Sequence, residues 1–209
     1  MQRSFFLAVI LAFCAAPIAG FTDDHEDAGN RYDLDGKYAS EISASAAYLA
    51  TNPPRGFGKG KNSAVIVDVR TLEEYVGGHP PGAYSIPYPH IHNRSDKPVD
   101  GINYITAYIG RNTAPDKDEF DKAFVAAVDA LGLPKDAQII TMCRTGFRSV
   151  GAANLLAEAG YENVQNMWEG FKGMAKTNTA GEKVDLDGDG VVTDSDPFSG
   201  DLDGWANFA

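Results

Sequence analysis

The residues best suited to chemistry lie in the stretch Ile139-Ile140-Thr141-Met142-Cys143-Arg144-Thr145-Gly146-Phe147-Arg148-Ser149. An apolar β-branched run delivers a cysteine into a short loop carrying glycine and two arginines. The loop opens directly into the helical pattern Val150-Gly151-Ala152-Ala153-Asn154-Leu155-Leu156. A thiol is a nucleophile only as the thiolate, and a helix N-terminus beside guanidinium groups favours that form. The same loop amides and guanidinium groups can hold an anion next to the sulfur. Phosphoryl transfer, redox sensing and sulfur transfer are all open to such a thiol; the bland alternative is a small buried hydrophobe.

A second constellation is Asp185-Leu186-Asp187-Gly188-Asp189-Gly190-Val191-Val192-Thr193-Asp194-Ser195-Asp196. It matches the EF-hand type of calcium loop over residues 185–196. Asp185, Asp187 and Asp189 take positions 1, 3 and 5, Gly190 the turn, and Val191 offers its carbonyl at position 7. Asp196 stands at position 12 in place of the usual glutamate, as in dockerin-like loops, and its shorter arm implies weaker binding. The flanks are poor helix formers, so a complete helix-loop-helix is not expected, and a solvated acidic tail is the alternative.

These groups need a scaffold. Ala64-Val65-Ile66-Val67-Asp68-Val69-Arg70 reads as a strand covered on both faces, and Thr71-Leu72-Glu73-Glu74 has capping-box spacing for an immediate helix. Residues 77–83 form a turn containing His79. Phe120, Phe124, Val128 and Leu131 share one helical face, and residues 163–167 make a last short strand. Strands alternating with helices predict an α/β fold with a mostly parallel sheet, whose ligands sit at the carboxyl ends of the strands. Cys143, Asp68 and Arg70 all fall there. Residues 88–118, with His90 and His92, form a long insertion of the kind that often makes a functional rim. Two histidines are too few for a metal site.

The chain ends bear on compartment. Arg3, the apolar run from Phe5 to Phe13 and the small residues before Thr22 make residues 1–20 a signal-peptide pattern. A lipid anchor on Cys14 is disfavoured by bulky Phe13. Export to a periplasm or the extracellular space follows, with an acidic tether over residues 21–39. Of two cysteines, Cys14 then leaves, and Cys143 cannot close an intramolecular bridge. The net charge of −11 argues against nucleic acid or an anionic membrane as partner. No membrane association is expected after signal cleavage. Residues 177–209 are acidic, Gly-rich and short of apolar residues, and should lie outside the core.

Taken in order, Asp68-Val69-Arg70, Glu74-Tyr75, Gly78-His79-Pro80-Pro81-Gly82-Ala83 and Cys143-Arg144-Thr145-Gly146-Phe147-Arg148-Ser149 resemble a rhodanese-type sulfurtransferase domain over residues 40–176. The resemblance implies a sheet of about five strands flanked by helices, and a catalytic Cys143 that carries sulfur as a persulfide. It implies a sulfur-containing anion such as thiosulfate as donor, and a thiol, cyanide or an exported protein as acceptor. Residues 144–149 would hold substrate and persulfide, with no cofactor for catalysis. Asp68, Arg70 and His79 are expected to support the site rather than react. Cys143 to Arg148 is Cys-x4-Arg, one residue shorter than the loop of phosphatases resembling this fold, which favours sulfur over phosphate. The alternative within the same class is a persulfide carrier serving a dedicated partner without turnover.

Overall fold

The computed structural model describes residues 31–53, 63–88, 117–192 and 200–207. The expected signal peptide, most of the 88–118 insertion with His90 and His92, and Asp196 lie outside the described residues.

Five strands form one sheet in the order β1-β5-β4-β2-β3, and every pairing is parallel. They are β1 (Ser40–Ile42), β2 (Val65–Asp68), β3 (Tyr84–Ser85), β4 (Ile139–Met142) and β5 (Val164–Met167). The helices are α1 (Ala44–Thr51), α2 (Leu72–Val76), α3 (Lys117–Asp129) and α4 (Phe147–Glu158). This is the α/β architecture that the sequence pattern predicts. The register pairs Val65 with Ile139 and Asp68 with Met142, so β2 and β4 end side by side.

All four residues of β4 are buried, as a central strand covered on both faces requires. Successive side chains point to opposite faces, so Ile139 joins the core layer of Val67, Phe124, Val128, Leu156 and Val164. Ile140 and Met142 join the other layer, with Ile42, Ile66, Tyr75, Met167 and Phe171. Ser43 caps α1 by accepting the Ala46 amide, and Thr71 caps α2 in a complete capping box with Glu74. The capping box starts the helix without any connecting loop, which keeps Glu74 close to the end of β2.

Two expectations about the chain ends are corrected. Residues 177–209 were expected to lie outside the core, yet Leu202 and Trp205 are 2% and 1% exposed, and Trp205 belongs to the second core layer. The tail returns because its amides find partners. Trp205 N–H donates to Gly170 O at 2.9 Å, Ala206 N–H to Phe171 O at 3.0 Å, and Ala175 bridges Leu202. Average composition hid two large apolar side chains three residues apart. Likewise the described part of the expected tether, from Arg31, is docked. Arg31 pairs with Asp203 at 2.7 Å, and Tyr38 is buried.

Truncating Trp205 should therefore cost what a core aromatic costs. Trp205→Ala should lower unfolding free energy by about 3–5 kcal/mol, read from urea denaturation; a loss no larger than at a surface site would contradict the docked tail.

Candidate active site

The loop from Cys143 to Arg148 joins β4 to α4, with Gly146 at the helix N-cap in a left-handed conformation, φ 92°. A Cβ at Gly146 would sit 2.2 Å from Trp168 O, so only glycine lets the loop pack this closely. Cys143 is buried, at 1% exposure. Ser149 Oγ lies 3.4 Å from its Sγ and 3.1 Å from Gly146 O, and its one proton serves either.

A strap of residues 169–174 underlies the loop. Phe171 N–H donates to Cys143 O at 2.7 Å and Lys172 N–H to Arg144 O at 2.8 Å. A Cβ on Gly170 would meet Arg144 C and Thr145 N at 2.6 Å. On the outer side, Tyr32 Oη lies 2.7 Å from Thr145 O, and the Tyr32 ring meets Phe147 edge-on with centroids 5.1 Å apart. Phe147 is half exposed.

The two loop arginines differ. Arg148 forms a bidentate pair with Glu74, at 3.0 and 2.9 Å. Burial opposes the charge on Arg148, but Glu74, followed by Cys143 and Asp68, outweighs it and raises its pKa. Burial also pushes the Glu74 carboxyl up; the Arg148 hydrogen bonds, the Thr71 amide and the nearby guanidinium charges outweigh this and hold it below its ordinary 4.5. The bidentate, charge-assisted geometry holds Arg148 in place, so it anchors the loop to α2 rather than swinging out to grip a ligand. Arg144 is exposed and, among the described residues, its guanidinium has no hydrogen bond or ion pair. It is the open cation of the loop.

Asp68 and Arg70 form a second fork, with Nε 2.9 Å from Oδ1 and Nη2 2.6 Å from Oδ2, at 0% and 3% exposure. Burial pushes the Asp68 carboxyl up against the pull of Arg70. Arg70 Nη2 also donates to Gly78 O at 2.7 Å, and its guanidinium lies 3.9 Å over the Phe171 ring. The pair thus ties the end of β2 to the 77–83 turn and to the strap. His79 stacks on Tyr75 at 3.8 Å, with Nδ1 2.9 Å from Tyr75 O. Burial, then the Asp68 charge, pushes the Tyr75 hydroxyl up to about 12, and it donates to Ala83 O. A cavity of about 250 Å³ lined by Arg70, Glu74, Gly77, Arg144, Phe171 and Lys172 opens beside the loop.

Several residues around the site carried no clear sequence signal. In the sequence Glu74 shows only as a capping residue and part of the Glu74-Tyr75 motif, Tyr32 falls in the expected tether, and Gly170 and Phe171 give no site signal. Only the fold brings them to Cys143. In the tail, Asp185, Asp187 and Asp189 present carboxylate oxygens within 4.8 Å of one another. The Gly190 and Gly188 amides, at 2.7 and 2.6 Å, hold the Asp185 carboxyl below its ordinary range. Val191 N–H donates to Asp189 Oδ1 at 2.7 Å, placing Val191 in the same turn. An all-oxygen donor set of this kind fits calcium. No described helix is long and apolar enough to cross a membrane.

Residues 57–177 match the family model described as Rhodanese-like domain. The chain is 30% identical over 112 residues to the uncharacterized protein RP600 of Rickettsia prowazekii, covering 54% of this chain and 72% of that protein. It is 28% identical over 112 residues to the uncharacterized protein RC0915 of Rickettsia conorii, with the same coverage. The crystal structure of Rv0390 from M. tuberculosis aligns with 70% of this chain and 88% of that chain, at 23% identity and a TM-score of 0.36.

The Glu74–Arg148 pair sets a pH dependence. With Glu74 held below 4.5 in the fold, its contribution is complete above the unfolded-state value and disappears as pH falls through the folded one. Replacing it (Glu74→Gln) should cost about 1 kcal/mol at neutral pH. The gap to the parent in urea unfolding should narrow below pH 4.5; a gap independent of pH would contradict the pair.

Proposed function

Because the chain belongs to the rhodanese-like domain family, we propose that it is a sulfurtransferase in which Cys143 carries sulfane sulfur. The observation that carries the reading is the six-residue Cys143–Arg148 loop leaving β4 and entering α4 at Gly146, with its thiol beside the Ser149 hydroxyl. Loop amides at a helix start suit an anionic sulfur, and a loop this short is too small to surround phosphate.

The Cys143 thiolate attacks the outer sulfur of thiosulfate. A Cys143 Sγ–S bond forms as the S–S bond of the donor breaks, and sulfite leaves with that electron pair. An acceptor thiolate or cyanide then attacks the terminal sulfur. Its new bond to sulfur forms as the Cys143 Sγ–S bond breaks, returning the Cys143 thiolate. No net redox change or external cofactor is needed. Ser149 donates to Sγ, Arg148 fixes the loop through Glu74, and Asp68 with Arg70 braces the strap on which the loop rests.

A second reading, a persulfide carrier for a dedicated exported partner, is favoured by one observation, the 1% exposure of Cys143. A shielded persulfide is protected from stray thiols until a partner opens the loop. The leader pattern of residues 1–20 supports export under both readings. We further propose that Asp185, Asp187, Asp189, the Val191 carbonyl and Asp196 hold a calcium ion that stiffens the tail, calcium being plentiful outside cells.

Thiosulfate-treated protein should gain about 32 Da on Cys143 and form thiocyanate from cyanide, while Cys143→Ser should fall to the uncatalysed background. Full turnover by Cys143→Ser would sink both readings; the mass gain without turnover would select the carrier. For the tail, calorimetric titration with calcium should give binding in the parent and none in Asp185→Ala, and a parent without heat would reject the ion.

A further inference from the structure

Beneath the start of α4 lies a polar side chain that the chemistry above does not use. Asn166 of β5 is fully buried and stands in register between Glu41 of β1 and Thr141 of β4. Its Nδ2 donates one proton to Glu41 Oε2 at 2.9 Å and the other to Gly146 O at 3.4 Å. A carboxylate and a carbonyl only accept, so the amide faces them with its nitrogen. Buried Tyr38 donates to the other oxygen of Glu41. Tyr38 and Glu41 lie outside the 57–177 family match, so this support comes from the chain's own first strand and its approach. At the far end of the amide, Asn166 Oδ1 is buried with no hydrogen-bond partner among the described residues. An apolar residue would avoid that orphaned acceptor, so packing alone gives no reason for an asparagine here.

The carbonyl that Asn166 reaches is the one that competes with the sulfur for Ser149. Gly146 is the N-cap of α4, and the carbonyl of an N-cap residue already takes the first amide of its helix. A carbonyl oxygen has two lone pairs, so one accepting position is left. Ser149 Oγ lies 3.1 Å from Gly146 O and 3.4 Å from Cys143 Sγ, with one proton to place. Thr141 Oγ1 donates to Ser149 O at 3.0 Å and keeps that residue seated. With Asn166 Nδ2 in the last position on Gly146 O, the hydroxyl proton turns to the sulfur. A donor there favours the anionic sulfur, thiolate or persulfide, and does so strongly where the sulfur is 1% exposed.

Resting on the sulfur-transfer reading, we infer that Asn166, held by Glu41, is a positioning residue that occupies the Gly146 carbonyl and thereby directs the Ser149 proton onto Cys143 Sγ. Asn166 acts on the sulfur through Ser149 and touches neither sulfur donor nor acceptor.

The test is a double-mutant cycle on the full chain, with Asn166→Leu and Ser149→Ala made singly and together. The measured quantity is the rate at which iodoacetamide alkylates Cys143 at neutral pH, followed by mass spectrometry of the Cys143 peptide. Asn166→Leu should slow alkylation about fivefold, and Ser149→Ala by at least as much. In the Ser149→Ala background, Asn166→Leu should change nothing further, whereas a merely structural role would slow both backgrounds alike. Glu41 is partly exposed on an edge strand, so Glu41→Gln carries the same cycle if Asn166→Leu does not fold, with a smaller effect that also vanishes in Ser149→Ala. Equal slowing with and without the Ser149 hydroxyl, or an alkylation rate unmoved by either substitution, would overturn the inference. Alkylation needs no sulfur donor, so failure of the sulfur-transfer reading shows separately, as no sulfur gained by Cys143 from thiosulfate.

Discussion

The structure depends on one lamination of backbone. The strap at residues 169–174 hydrogen-bonds upward to the loop, through Phe171 to Cys143 and Lys172 to Arg144, and outward to the tail, through Gly170 to Trp205 and Phe171 to Ala206. Backbones can approach this closely only where side chains are missing. A Cβ on Gly170, Gly173 or Gly204 would lie 2.0–2.6 Å from atoms of the neighbouring layer. The loop is therefore shaped from beneath as much as by its own residues. Whatever anchors the tail also steadies the Cys143 site.

Two ion pairs complete the frame, and their burial decides their roles. Asp68–Arg70 is fully enclosed and would leave an uncompensated charge if split, so it behaves as a permanent brace. Glu74–Arg148 is partly open and joins the loop to α2. With both forks committed, Arg144 remains the loop cation that meets solvent. The electrostatics of the site thus separate into cations that hold the protein and one that can meet a ligand.

The capping box at Thr71, the buried run of β4 and the strand–helix alternation were all readable, because they depend on neighbours in sequence. Contacts such as Arg148 with Glu74, Tyr32 with Thr145, Leu202 with Ala175, and Trp205 with the second core layer were not. They join residues dozens to well over a hundred positions apart, and segment composition carries no record of such meetings. The acidic tail was misplaced for that reason: its average looked solvated, while two of its side chains belong to the core.

By itself the sequence determined the parallel α/β frame and the length of the loop from Cys143 to Arg148, since hydrophobic periodicity and residue spacing are local properties of the chain. Tertiary structure alone decided how deeply Cys143 is buried, which arginine is tied and which is open, and that the tail closes against the strap. Those outcomes follow from packing and pairing across the sheet, where burial makes each charge find a partner and each close backbone approach find a glycine.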